Sequence, residues 1–86
     1  MKTFTYTITD ALGIHVRPAG LLAREAKGFP DTVITVARDG HAARATQLMK
    51  LMSLGVKQGD AVTVTTEGGS EEAACAAMEA FFKAHL

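Results

Sequence analysis

Apolar and polar residues alternate strictly at the start of the chain. Over residues 2–8, Phe4, Tyr6 and Ile8 are separated by threonines, the two-residue period of a strand with one buried face. Asp10-Ala11-Leu12-Gly13 breaks the alternation. From Pro18 to about Lys27 the period becomes helical, with Ala19, Leu22, Ala23 and Ala26 on one side. Gly28 suits the C′ position of that helix, and Phe29-Pro30-Asp31 leads out of it. Val33–Ala37 is a second strand with Ile34 and Val36 inward, and Asp39-Gly40 is a two-residue hairpin signal. The return strand, His41–Ala45, is short and weakly apolar. Thr46 is placed to cap a short helix over Gln47–Ser53, which Gly55 closes. After the turn Gln58-Gly59-Asp60, Ala61–Thr66 is a strand with Val62 and Val64 inward. Gly68-Gly69 leads to Ser70 as an N-cap, with Glu71 and Glu72 in the first turn of a last helix. Ala74, Ala77, Met78, Phe81 and Phe82 form its apolar side.

The order is β-α-β-β-α-β-α, an α+β pattern expected to give one antiparallel sheet with the helices on one face. The threonine-rich face of that sheet should be solvated. No linker, repeat or low-complexity tract divides the chain, so residues 1–86 are expected to form one domain.

Composition narrows the function. Apolar residues make up 48% of the chain, enough for a packed core. Lys+Arg and Asp+Glu number nine each, which removes the electrostatic case for nucleic acid or a membrane surface and leaves a protein partner. Cys75 is the single cysteine, expected as a half-buried thiol, so an internal disulfide or Cys-x-x-Cys pair is excluded. No signal peptide or spanning segment is expected, and a cytoplasmic location fits best.

The candidate chemistry lies in Gly13-Ile14-His15-Val16-Arg17-Pro18-Ala19-Gly20. Proline suits the first helical position, where its missing N–H would have had no partner. A helix opening near Pro18 directs free N–H groups and a positive dipole end at the residues just upstream, which favours an anion. His15 can accept a phosphoryl group covalently, and Arg17 can pair its oxygens in a fork. No acid occurs between Leu12 and Ala23, so Arg17 and the helix end are expected to keep the ring neutral and nucleophilic. His41, after the hairpin, is read as a solvent-facing residue. His85, in the last helical turn, is read as a cation at a helix C-terminus. Neither has a second ligand at metal spacing, and no metal site is expected.

The heptamer Gly13-Ile14-His15-Val16-Arg17-Pro18-Ala19, the Gln47–Ser53 helix ending Leu54-Gly55 and the element order together resemble the HPr family. Its members are the histidine-containing phosphocarriers of the bacterial sugar phosphotransferase system. Arg24-Glu25-Ala26-Lys27-Gly28-Phe29 and Thr66-Glu67-Gly68 also resemble members from Gram-negative bacteria. The resemblance covers essentially the whole chain and implies an open-faced β-sandwich of four antiparallel strands with three helices on one side. It implies that His15 takes a phosphoryl group on Nδ1 from phosphorylated enzyme I and passes it to a sugar-specific IIA protein or domain. Arg17 would stabilise the group, with Val16, Pro18 and Ala19 forming the helix end beside it. The carrier would be a monomer without a metal or organic cofactor, and not a free-standing enzyme. Leu48 and Met49 fall where the family presents apolar side chains to partners, with Met52 on the same short helix and Gly20, Arg24 and Lys27 flanking that face. Members from Gram-positive bacteria carry a regulatory serine at the start of the second helix. Here that position is Gln47, which has no hydroxyl, and Thr46 is expected to be committed as the cap.

Two other readings stand beside this one. A nitrogen-related phosphotransfer carrier shares the heptamer, although Lys50-Leu51 and Met52-Ser53-Leu54-Gly55 lean toward the sugar system. A nucleic-acid- or metal-binding βα module lacks support, since no aromatic-rich RNP-like strand is present.

Overall fold

A computed structural model describes residues 1–86. The elements are β1 (Lys2–Thr7), α1 (Val16–Ala26), β2 (Thr32–Arg38), β3 (His41–Arg44), α2 (Leu48–Ser53), β4 (Ala61–Gly68) and α3 (Glu71–His85). The four strands form one sheet in the order β1-β4-β2-β3, every neighbouring pair antiparallel. β1 and β2 both run against β4 and so are parallel to each other, which requires a crossover; α1 supplies it. By the same logic α2 carries the chain from β3 to β4. Only β2 and β3 are hairpin neighbours, and Asp39 (φ 48°) and Gly40 (φ 82°) form their turn. Both positive φ values match the twist of a two-residue hairpin.

The register explains the two faces. Phe4, Val64, Val36 and Ala43 lie in one row across all four strands, on the side covered by helices. The next row, Thr3, Thr65, Thr35 and Arg44, lies on the other side. The sheet is therefore open on its threonine face. Phe82 of α3 is fully buried at the centre of the covered side, edge-on to Phe4 (5.8 Å) and Tyr6 (5.7 Å). Leu22, Leu51, Val62 and Met78 are equally buried around it. Burying each such side chain contributes about 1.5–3 kcal/mol, so this packing is what holds the helices to the sheet. Thr66 continues the inward row of β4, and its hydroxyl is satisfied by donating to the Glu71 carbonyl at 2.8 Å.

Several expected boundaries move. α1 starts at Val16, so Pro18 occupies its third position and not its first. Proline is tolerated at either, because no N–H in the first turn has an intrahelical acceptor. Gly28 follows α1 without a left-handed φ; the helix ends on a tightened turn in which Gly28 donates to Glu25. β4 runs on to Gly68 because Glu67 and Gly68 pair with Val33 and Thr32 of β2. Thr46 is not the cap of α2. Gln47 holds that position, no side chain caps the helix, and Thr46 is exposed. Ser70 does stand at the N-cap of α3, but its hydroxyl donates to Asp31 at 3.0 Å and not to the helix.

At the start of α3, the Met1 amino group donates to Glu71, and so does the Gly68 N–H. Together they hold the Glu71 carboxyl below the usual carboxylate range. The sign is that of a depressed acid: its stabilisation is present above the ordinary carboxylate pKa and is lost as pH falls through the lowered value.

Candidate functional site

The loop between β1 and α1 is folded by its own short-range hydrogen bonds. The Asp10 carboxylate accepts the Leu12 N–H at 2.8 Å, and the Asp10 carbonyl accepts the Gly13 N–H at 3.0 Å. Gly13 has φ +66°, and a Cβ there would lie 2.2 Å from the Val56 carbonyl oxygen. That same oxygen accepts the Ile14 N–H at 3.1 Å, which pins the loop to the segment after α2. Only glycine allows both the left-handed backbone and this close approach.

His15 follows as the N-cap of α1, with extended backbone and no side-chain capping bond. Its carbonyl accepts the Ala19 N–H at 2.9 Å, the first bond of the helical ladder. Ala19 is buried and its N–H is used, so it frames the site from within. The N–H groups of Val16 and Arg17 find no acceptor in the chain and remain available at the positive end of α1. Arg17 is exposed and makes no hydrogen bond or ion pair.

The imidazole of His15 is half-buried, its Nε2 4.0 Å from Asp10 Oδ1. This corrects the expectation that no carboxylate is close: the turn at Gly13 folds Asp10 back beside the ring. The separation exceeds a hydrogen bond and is an electrostatic contact. A cavity of about 220 Å³ opens here, lined by Asp10, His15, Arg17, Pro18, Leu21 and His85. His85 stands in the last turn of α3 as its sequence position implies, and it also lines this cavity, a relation that linear spacing does not show. The α3 terminus is tethered here because Thr9 and Asp10 N–H groups donate to the Leu86 main-chain oxygen at 2.6 and 2.9 Å.

A half-exposed imidazole, a free guanidinium and two free N–H groups at one helix end can hold an anion beside a ring nitrogen. Residues 2–84 match the family described as "PTS HPr component phosphorylation site". The chain belongs to the HPr family. It is 41% identical over 80 residues to the phosphocarrier protein HPr of Mycoplasma genitalium, covering 93% of this chain and 91% of that one. Over 61 residues it is 46% identical to the phosphocarrier protein HPr of Vibrio cholerae, covering 71% of each. The crystal structure of HPr-C-His from Thermoanaerobacter tengcongensis superposes with a TM-score of 0.90 at 37% identity, covering 96% of this chain and 92% of that one.

The remaining HPr-like positions fall into two groups. Arg17, Gly20, Arg24 and Lys27 recur at helical spacing and form one stripe along α1, leading away from His15. Arg24 and Lys27 are exposed and make no ion pair. A Cβ added at Gly20 would meet nothing within 4 Å, so packing within the chain does not require glycine there. Gly20→Ala should therefore stabilise the fold by about 0.5–1 kcal/mol, read as a rise of a few degrees in melting temperature.

On α2, Leu51 is fully buried and Leu48 half-buried against the core, whereas Met49 is 75% exposed and Met52 38%. The helix is held from below by Arg38 of β2, which donates from Nη1 to the Leu54 carbonyl at 2.6 Å. Gln47 lies at its start, exposed and without a hydroxyl.

Proposed function

We propose that this chain accepts a phosphoryl group on His15 from phospho-enzyme I and passes it to sugar-specific IIA proteins or domains. The observation that carries this reading is the meeting of His15 and the unpaired Arg17 in one cavity, at the helix end that carries the open N–H groups of Val16 and Arg17. With Nε2 toward Asp10, an Nε2–H can be directed at the carboxylate while Nδ1 keeps the lone pair. That lone pair forms the N–P bond as the bond from phosphorus to its donor atom breaks. The ring gains positive character during the step, and Asp10 opposes the charge at Nε2. Arg17 and the helix end take up the charge on the phosphoryl oxygens. Onward transfer to a IIA histidine reverses these roles.

The partners supply the rest, so the domain formed by residues 1–86 acts as a monomeric cytoplasmic carrier and not as a free-standing enzyme. No helix is long and apolar enough to cross a membrane, and no metal or organic cofactor is needed for this step. Docking is assigned to the α1 stripe, Gly20, Arg24 and Lys27, together with Leu48, Met49 and Met52 of α2. Exposed methionines adapt to more than one partner. Met49→Asp should weaken binding to enzyme I about tenfold or more, measured by calorimetric titration. It should shift stability by no more than about 0.5 kcal/mol, because the side chain is exposed and an acid in the first turn of a helix is favourable. A large fall in melting temperature would place Met49 in the core instead.

The second helix is assigned no kinase control. Glutamine at position 47 cannot carry a phosphoester, and Thr46 precedes the helix, one residue from the family's serine position. Since Thr46 is not the cap, that register alone supports the assignment. Incubation with ATP and an HPr kinase should leave the chain unmodified; acid-stable phosphate mapped to Thr46 would overturn it.

A further inference from the structure

We propose that His85 is a second ligand of the phosphoryl group, donating a ring N–H to one of its oxygens while the group resides on His15. This inference rests on the phosphocarrier reading above and deepens it.

Three observations converge. His85 lines the cavity that His15 and Arg17 line. Its ring is held by Phe81, the two centroids 4.5 Å apart and the planes tilted by 34°, so it is placed before any anion arrives. The end of α3 is fastened to the loop that carries the site, through Thr9 and Asp10 bonding to Leu86. Loop and helix end therefore keep a fixed relation.

Electrostatics gives the placement a purpose. The C-terminal end of a helix carries about half a negative charge, which is unfavourable beside a phosphoryl group. An imidazole on the last turn supplies a hydrogen-bond donor on that side of the cavity. The other titratable or charged side chains sharing the cavity are Asp10 from the loop, His15 at the N-cap of α1 and Arg17 from α1. β1 and β4, on which α3 also packs, send none into it. Asp10 already faces the His15 ring, and Arg17 approaches from the α1 side. His85 is the one donor supplied from α3.

The test is the lifetime of the phosphorylated protein. Wild type, His85→Ala and His85→Gln are phosphorylated with enzyme I and phosphoenolpyruvate and freed of enzyme I. Loss of the phosphoryl group is then followed by phosphorus NMR at one fixed pH. His85→Ala should shorten the lifetime roughly two- to tenfold, the range spanned by one net hydrogen bond. His85→Gln, which keeps a neutral donor, should restore part of it. Identical lifetimes in all three proteins, with phosphate mapped to His15, would overturn the inference and leave the phosphocarrier reading intact. Equal shortening in both variants would assign the effect to lost stacking on Phe81 and would also overturn it. Failure of the wild type to take up phosphate at His15 would remove both.

Discussion

His15→Ala should abolish phosphoryl uptake from phospho-enzyme I and leave the fold nearly as stable as before. The chemical half of that expectation follows because His15 is the histidine at the start of α1, beside the open N–H groups and Arg17. His41 lies in the hairpin on β3, and His85 sits on α3 with its ring stacked on Phe81. The structural half follows from how little His15 contributes to packing. Its side chain is half-buried, makes no capping hydrogen bond and contacts Asp10 only at 4.0 Å. The backbone bonds that shape the loop, Gly13 to Asp10 and Ile14 to Val56, do not involve the ring. The stability change should stay within about 1 kcal/mol. Intact mass after incubation with enzyme I and phosphoenolpyruvate reads the first effect, and a thermal melt reads the second. Phosphate on the variant would move the site elsewhere.

Arg17→Ala should slow transfer by roughly 10²–10³-fold without abolishing it, the range found for removing one preorganised donor from a developing oxyanion. Arg17 has no ion pair in the resting protein, so its loss leaves no buried partner unsatisfied. The whole effect should therefore appear in transfer kinetics and none in the melting temperature. Arg17→Lys should recover only part of the rate, since an ammonium supplies charge but not the planar fork. Unchanged rapid-quench rates with both enzyme I and a IIA partner would reduce Arg17 to a helix-entry residue.

Much of the sheet was legible because each strand depends on a local period. Phe4, Tyr6, Ile34, Val36, Val62 and Val64 all face the helices as their alternation requires. Asp39-Gly40 likewise encodes its turn within two residues. Helix ends were harder to place. Proline is acceptable at several positions of a first turn, so Pro18 could not distinguish a start at Val16 from one at itself. Thr46 and Gln47 can each precede α2, and the Thr46 hydroxyl favours a cap that the fold does not use. The site divides along the same line. His15 and Arg17 are neighbours in sequence and share one helix end, and so could be read together. Asp10 needed the left-handed turn at Gly13, and His85 needed the packing of α3 beside α1. Neither relation has a linear signature.

The most direct measurement is a two-step transfer followed by intact mass and peptide mapping. Incubation with enzyme I and phosphoenolpyruvate should add a single acid-labile phosphoryl group at His15, and a IIA protein with excess acceptor histidine should then remove it. Absence of the modification, its location on another residue, or a phosphoryl group that IIA cannot discharge would contradict the assignment of this chain as a phosphocarrier.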